Sequence, residues 1–497
     1  MKISLLSLLC TLVIVLVIGT TGEARSNLAP TRATEPPLRL REKTETIAAD
    51  LDKFIPKYLQ EQDIPGASIT LIRDHQVVWS AGYGVANSIT KKPVTPETVF
   101  AMASNSKVLT TYIALRLVDQ GRLSLDQPLN SYLTEPWLPD SPYRDQITLR
   151  HVVSHTSGLT QLGKQSIFPP GNAYYYSGMG ISYLQTVIEQ ITNQSLESLA
   201  SELVFEPLDM SSASYINRPD LIPLNANGHI RAIAPLLFSF IIYTASFLVI
   251  TLIGLLVTRL RNGSWRPTRR SIVWWAIISL LLSLLLVILL FNLIDFLEFT
   301  WLMVFVELGI FLILAGTLFL GSRLASRVFP ERTWLRATFT ASLVIAALVG
   351  LVILAINTNN LPVPKWPPVK ASGGGSLRAQ PVDMAKFMIE LSNSRYLSPE
   401  LAKELRTQQI SLANDLAWGL GAGIQHSQQG DALWQWGQHI HSQSIMIIYP
   451  DHGFGVIVNT NNDLLKPDVA LEIAQRALGG PIEPIRRAVH LDFNYQP

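Results

Sequence analysis

Cysteine is almost missing from this chain. Among 497 residues there is one, Cys10, and it sits in an apolar leader. The remainder can form no disulfide and no thiolate metal site, which fits a reducing compartment or a bacterial exterior domain that relies on its core. An excess of charge is missing as well. The formal net charge is +2, so nothing points to nucleic acid as a partner. There is no nucleotide-binding glycine loop and no H-E-x-x-H, and no cofactor is expected. Apolar sequence, by contrast, is plentiful. Hydrophobic residues make up 48% of the chain, enough to look for membrane spans, and the length suggests two or three units rather than one core.

That apolar sequence is concentrated in blocks. Lys2 precedes a run from Ile3 to Ile18, and Gly22-Glu23-Ala24 offers small residues for cleavage. Residues 1–24 therefore read as a signal peptide, or as an N-terminal anchor if the leader is retained, since a run of about 16 residues only just spans a bilayer. Cys10 comes too early for a lipoprotein signal. Residues 25–39, polar and proline-bearing, read as a linker. Four longer runs follow at 234–257, 272–294, 301–320 and 337–356. Each approaches or exceeds the ~20 residues that cross a bilayer, and none shows a polar face. The first loop between them carries Arg259, Arg261, Arg266, Arg269 and Arg270, and the third carries Arg323, Arg327, Arg332 and Arg336. The second is short and holds Asp295 and Glu298. Positive loops stay in the cytoplasm, so both flanks of the block 232–362 are expected outside. Glu307, within the third run, is either a functional carboxylate or a protonated or helix-paired group near the outer interface. Asn292 reads as an interface residue.

Between the leader and this block, Ile47, Leu51, Phe54, Ile55, Tyr58 and Leu59 recur at helical spacing. Ala67 to Ile72 alternates as a strand, Arg73-Asp74-His75 turns, Gln76 to Ser80 returns, and Ala81 to Gly84 ends the hairpin. Ser104-Asn105-Ser106-Lys107 then opens a helix that runs to about Asp119. Ser104 falls at its N-terminus, where unpaired N–H groups and the helix dipole favour negative charge. Lys107 brings its amine to the same face. A serine is a weak nucleophile until something takes its proton, and a lysine held neutral by burial can do that. The tetrapeptide alone reads rather as a capped helix with a solvated lysine.

Further pieces change that balance. They are the hairpin after Ile64-Pro65-Gly66, Gly121-Arg122-Leu123, the block from Leu149 to Leu159, Pro170-Gly171 with Tyr174-Tyr175-Tyr176-Ser177, Ser372-Gly373-Gly374-Gly375-Ser376-Leu377 with Asp383-Met384-Ala385-Lys386-Phe387, Trp418-Gly419-Leu420-Gly421 and Trp436-Gly437. In this order the chain resembles the serine β-lactamase and penicillin-binding family, on the branch of class C β-lactamases, D-alanyl-D-alanine carboxypeptidases and related esterases. The resemblance covers about 40–231 and 363–497. It implies an α+β fold: an antiparallel sheet with flanking helices and an all-α subdomain. Residues 232–362 would be a four-helix transmembrane insertion in a surface loop, where long insertions cost little.

The resemblance implies chemistry as well. Ser104 is the expected nucleophile, attacking an acyl carbon to form an acyl-enzyme, with Lys107 as its basic partner. The family's second motif, Tyr-x-Asn, here reads Tyr176-Ser177-Gly178. Tyr176 is the expected proton relay to the leaving group; Gly178 removes the side-chain amide that usually contacts lysine and substrate. The third motif, usually Lys-Thr-Gly or His-x-Gly, reads Gln435-Trp436-Gly437. Gly437 would keep the backbone close, and the N–H groups of Gln438 and Ser104 would form the oxyanion hole. Gln435 removes the cation that helps to hold a substrate carboxylate, unless His439 or His441 substitutes. No metal is expected at His439-x-His441, and His151 and His155 read as structural. The expected activity is hydrolysis of an ester or peptide by a membrane-tethered extracytoplasmic enzyme, its partners being a small-molecule or peptide acyl substrate and the lipid bilayer. Oligomeric state is open. Two other readings stand beside it: a receptor or sensor that is slowly acylated, and a catalytically degenerate scaffold, suggested by Gly178 and Gln435.

Overall fold

The structure, a computed structural model, describes residues 36–161, 163–230, 370–462 and 468–491, with scattered positions between 309 and 362. The leader, Glu307, Asn292 and all but a few positions of the four apolar runs lie outside the described residues. Among the described residues no helix is long and apolar enough to cross a membrane.

One antiparallel sheet organises the domain. Its strands are β1 (Gly66–Arg73), β2 (Gln76–Gly84), β7 (Ile410–Ala413), β8 (Leu416–Trp418), β9 (Gly423–Gln425), β10 (Ala432–His439), β11 (Ser442–Tyr449) and β12 (Phe454–Thr460). They lie in the order β2-β1-β12-β11-β10-β9-β8-β7. The N-terminal hairpin thus pairs with the last strand, from Ala67↔Thr460 to Ile72↔Gly455. Four short strands complete the set: β3 (Phe100–Ala101), which pairs with β6 (Arg378–Ala379), and β4 (His229–Ile230), which pairs with β5 (Leu361–Pro362).

The hairpin is longer than its sequence pattern implied. β2 continues past Ser80 to Gly84, with Ala81, Gly82, Tyr83 and Gly84 opposite Ile69, Ser68, Ala67 and Gly66. The reversal itself needs only Asp74 and His75, both left-handed with φ of 50° and 55°, the conformation that matches strand twist in a two-residue turn.

Both faces of the sheet are covered, so the central strands read as continuous apolar runs. Along β11 and β12 the side chains alternate between two cores. Met446, Ile448 and Ile457 face one that includes Leu109, Tyr112 and Ile113 of the helix Asn105–Asp119, Leu184 of Gly178–Thr192, and Phe387 of Pro381–Ser392. Ile445, Ile447, Val456 and Val458 face the other, with Ile47, Leu51 and Ile55 of Thr44–Glu61 and Ile473 of Val469–Leu478. The spacing that marked the first helix is its buried stripe: Ile47, Leu51, Ile55 and Leu59 are buried, while Phe54 and Tyr58 stack on each other at 5.1 Å on its flank. Leu38, at the end of the expected linker, already bridges Gly479.

Candidate active site

The helix Asn105–Asp119 starts against the edge of β10, and the serine sits at that junction. Ser104 is the residue before the helix, yet its side chain makes no capping bond. Instead Lys107 Nζ donates to Ser104 Oγ at 2.9 Å and to the Gly374 carbonyl at 2.7 Å. Lys107 is buried. The capped helix with a solvated lysine is therefore not what the chain builds. Ala103 immediately before the serine has φ of 45°, a left-handed conformation that costs a non-glycine residue on the order of 1 kcal/mol. Its neighbours hold it there. Ser106 Oγ donates to the Ala103 carbonyl at 2.5 Å and accepts from Leu377 N–H at 3.0 Å. Met102 N–H donates to the Leu377 carbonyl at 2.8 Å. Asn105, buried, donates to Ser444 Oγ on β11 at 2.7 Å.

The Gln435-Trp436-Gly437 triplet lies on β10 beside this turn. At Gly437 a Cβ would overlap the Met102 carbonyl oxygen and stand 3.1 Å from Ser104 N. Only glycine lets the strand come this close. Gln438 follows it at the partly exposed rim, opposite Gln443 in the sheet. Gly437 thus brings β10 against the Ser104 N–H, with Gln438 the next residue along the strand.

Tyr176 arrives from the segment before the helix Gly178–Thr192. Its ring centroid is 5.0 Å from Lys107 Nζ. Gln435 Nε2 donates to the Tyr176 phenol oxygen at 3.1 Å, to the Trp436 carbonyl at 3.0 Å and to the Ser104 carbonyl at 3.4 Å. The tyrosine rests on rings: Trp436 at 5.3 Å, His155 at 4.4 Å and Trp418 at 6.0 Å. His155 is fully buried, and burial, with the Lys107 charge second, pushes its pKa down to about 3. Its Nδ1 accepts from Ser177 N–H at 3.2 Å, which places the proton of the neutral ring on Nε2. Next to it, His151 forms a reciprocal capping pair with Thr148 at the start of the helix Leu149–Val153. Arg150 is paired with Asp126 at 2.7 Å and with Glu404. The Leu149 to Leu159 block is scaffolding for the tyrosine.

The structure brings Ser104, Lys107 and Tyr176 together, with Gln435, Gly437 and Gln438 along the adjoining strand. Two contributors carried no side-chain signal or lay outside the motifs. One is the Gly374 carbonyl, the second acceptor of the lysine. The other is Gln161, whose Oε1 accepts from Gly178 N–H at 2.7 Å. A Cβ at position 178 would stand 2.7 Å from that oxygen, so the Gln161 amide fills the space an asparagine at 178 would enter. Among the described residues no group of histidine, cysteine and carboxylate side chains could hold a metal.

Residues 51–244 match the family model described as Beta-lactamase. The chain carries a domain of the serine β-lactamase and penicillin-binding family. Protein Flp of Staphylococcus aureus strain N315 is 26% identical over 187 residues, which are 33% of this chain and 38% of that protein. Esterase EstB of Burkholderia gladioli is 27% identical over 207 residues, 35% of this chain and 52% of the esterase. The matched region thus spans between about a third and a half of these relatives. The octameric penicillin-binding protein homologue from Pyrococcus abyssi shares the fold, with a TM-score of 0.55 over 90% of this chain and 78% of that one, at 17% identity. The family-model match ends before the second segment, yet that segment supplies Gly374 and the whole of β10 to the surroundings of Ser104 and Lys107.

Proposed function

We propose that the chain is a membrane-tethered serine hydrolase that cleaves an ester or amide outside the cytoplasm through an acyl-enzyme on Ser104. The observation that carries this reading is the buried Lys107 Nζ, 2.9 Å from a serine hydroxyl left free of any capping role. As the free amine, Lys107 takes the Oγ proton while Oγ bonds to the acyl carbon. Charge builds on the carbonyl oxygen beside the Ser104 and Gln438 N–H groups. The leaving oxygen or nitrogen departs with a proton delivered from Lys107 through the Tyr176 hydroxyl. Water then attacks the acyl-enzyme by the same route in reverse, releasing the acid and restoring the serine. Gln435 gives the tyrosine oxygen a hydrogen bond without a charge, so the site favours a carboxylate-free acyl substrate.

The tether rests on the four apolar runs and their arginine-rich loops. Leu312 and Leu320, within the third run, are exposed, as side chains facing lipid would be. The even number of spans puts both halves of the domain on one side of the bilayer.

The test uses membranes carrying the full chain, given an activated ester and a fluorescent penicillin. Ester turnover that disappears in Ser104→Ala supports the hydrolase. Stoichiometric labelling without turnover would favour a sensor that is slowly acylated, and no reaction at all would favour a binding scaffold. Topology is read separately, using the scarcity of thiols. With Cys10→Ser and Asp140→Cys, whose parent side chain is 93% exposed, an impermeant maleimide should label intact cells.

A further inference from the structure

We infer that the active site opens at the root of the inserted block, and that its substrate is an acyl group carried by a lipid at the bilayer surface rather than one free in solution. The inference rests on the hydrolase reading above and adds the substrate class.

It starts from where the chain leaves and re-enters the domain. His229 lies opposite Pro362 and Ile230 opposite Leu361, so the last residues before the inserted block and the first after it run side by side. This ribbon is fastened to the β10–β11 turn. His229 N–H donates to the His441 carbonyl at 3.1 Å. At Gly228 a Cβ would overlap the His441 ring, so the backbone lies directly on it. The His229 ring is buried and fixed at both nitrogens, Nε2 accepting from Ser88 N–H at 3.1 Å and Nδ1 bonded to the Asn461 carbonyl at 3.0 Å.

From that turn the path to the catalytic lysine is short. The His441 ring is 5.6 Å from that of His439. His439 Nε2 bonds the Gly375 carbonyl at 3.1 Å, and the neighbouring Gly374 carbonyl holds Lys107 Nζ at 2.7 Å. The partly exposed residues here are Ser104, Gly374, Gly375, Gln438, His439 and Ile440. They form the rim of the site, on the side where the ribbon is fastened.

The surface around the ribbon suits a headgroup layer. Ile89, next to the serine that bonds His229, is 71% exposed, and Ile222 is 41% exposed. Lys91 is exposed, and Lys92 reaches across to the Pro223 carbonyl. Exposed isoleucines interleaved with lysines, at the point where two strands run into apolar sequence, match an interface with anionic lipid. A site held there meets lipid-borne esters at a high effective concentration, an advantage no soluble ester shares. In the reaction, Ser104 Oγ bonds to the acyl carbon as its bond to the leaving alcohol breaks. That alcohol takes the proton, and water later releases the acid.

The test uses the full chain in phosphatidylcholine–phosphatidylglycerol nanodiscs with two substrates that share a leaving group. One is the 4-methylumbelliferyl ester of N-succinyl phosphatidylethanolamine, the other 4-methylumbelliferyl butyrate. We expect the lipid-borne ester to turn over at least tenfold faster at equal bulk concentration. Flexible Gly-Ser spacers of ten residues, placed between 232 and 233 and between 358 and 359, add a mean reach of about 17 Å each. They should cut lipid-ester turnover at least tenfold and leave butyrate turnover unchanged. A second variant, Ile89→Glu with Ile222→Glu, should lower lipid-ester turnover threefold or more with the same control. Equal rates on the two esters, or indifference to both variants, would overturn the inference. Loss of all Ser104-dependent butyrate turnover in the unaltered chain would instead remove the hydrolase reading, and the inference with it.

Discussion

The two walls of the site have kept different things. On the wall that carries Ser104, each position is closely held: Ala103 is bent into an unfavourable φ, Lys107 is shared between Ser104 Oγ and the Gly374 carbonyl, and Gly437 leaves no room for a side chain. On the wall that would grip the rest of a substrate, side chains have been exchanged. Gln435 stands where the family resemblance leads one to expect a cation, and Gln161 fills the space of an amide at 178. Attack on a carbonyl fails with an error of about 1 Å, whereas recognition can pass between charged and neutral groups at the cost of changing the substrate.

Breaking the first wall should have the largest effect. Ser104→Ala should lower kcat for an activated ester by at least about 10³-fold, and Lys107→Met by about 10²–10⁴-fold, with the circular dichroism unchanged. Gly437→Ala should cost about 10²-fold in kcat, because β10 must retreat from Met102; a wild-type rate would show that the close approach is not needed. Changes on the second wall should redirect rather than abolish. Gln435→Lys should improve KM about tenfold for a carboxylate-bearing ester over its neutral isostere, as one charge-assisted hydrogen bond is worth about 1.5–3 kcal/mol. Equal KM changes for the two would erase the contrast between the walls. Gln161→Ala, partly exposed, should change kcat/KM less than tenfold.

The last effect is on stability, not rate, and its His155 part tests the buried support beneath Tyr176. Burial holds His155 neutral down to about pH 3 and His229 down to about pH 4. In the unfolded chain both protonate near 6.5. Below that pH the unfolded state takes up protons the native state does not. Their contribution is therefore complete above about pH 6.5 and falls on acidification, by about 1.4 kcal/mol per pH unit for each histidine. Urea unfolding followed by tryptophan fluorescence between pH 7 and pH 4.5 measures this slope, and His155→Phe should make it shallower.

Much of this was legible because it depends on short-range pattern. Ile47, Leu51, Ile55 and Leu59 mark a buried helix face by spacing alone, and Ser104 and Lys107 lie one turn apart in any helix. What could not be read was less local. The strand β2 runs past Ser80 because Gly66 to Ile69 offer it partners, and no residue within 81–84 announces that pairing. Gln161 was missed because it lies outside every motif and acts through a neighbour's empty side chain. Gly374 was in view as part of a glycine run, but a carbonyl that accepts a lysine proton leaves no mark in side-chain chemistry.

By itself the sequence determined which chemistry was on offer: one amine beside one hydroxyl, a tyrosine and a glycine on later segments, and four apolar runs between the halves of a domain. These follow from side-chain identity and local periodicity. Only the tertiary structure decided that the serine hydroxyl bonds the lysine rather than the helix, that a glutamine bonds the tyrosine, and that the ends of the inserted block meet beside the β10–β11 turn. Most of those relations join distant residues, Gln435 with Tyr176 across 259 positions and Lys107 with Gly374 across 267. They exist only once the first hairpin has paired with the last strand and closed the sheet.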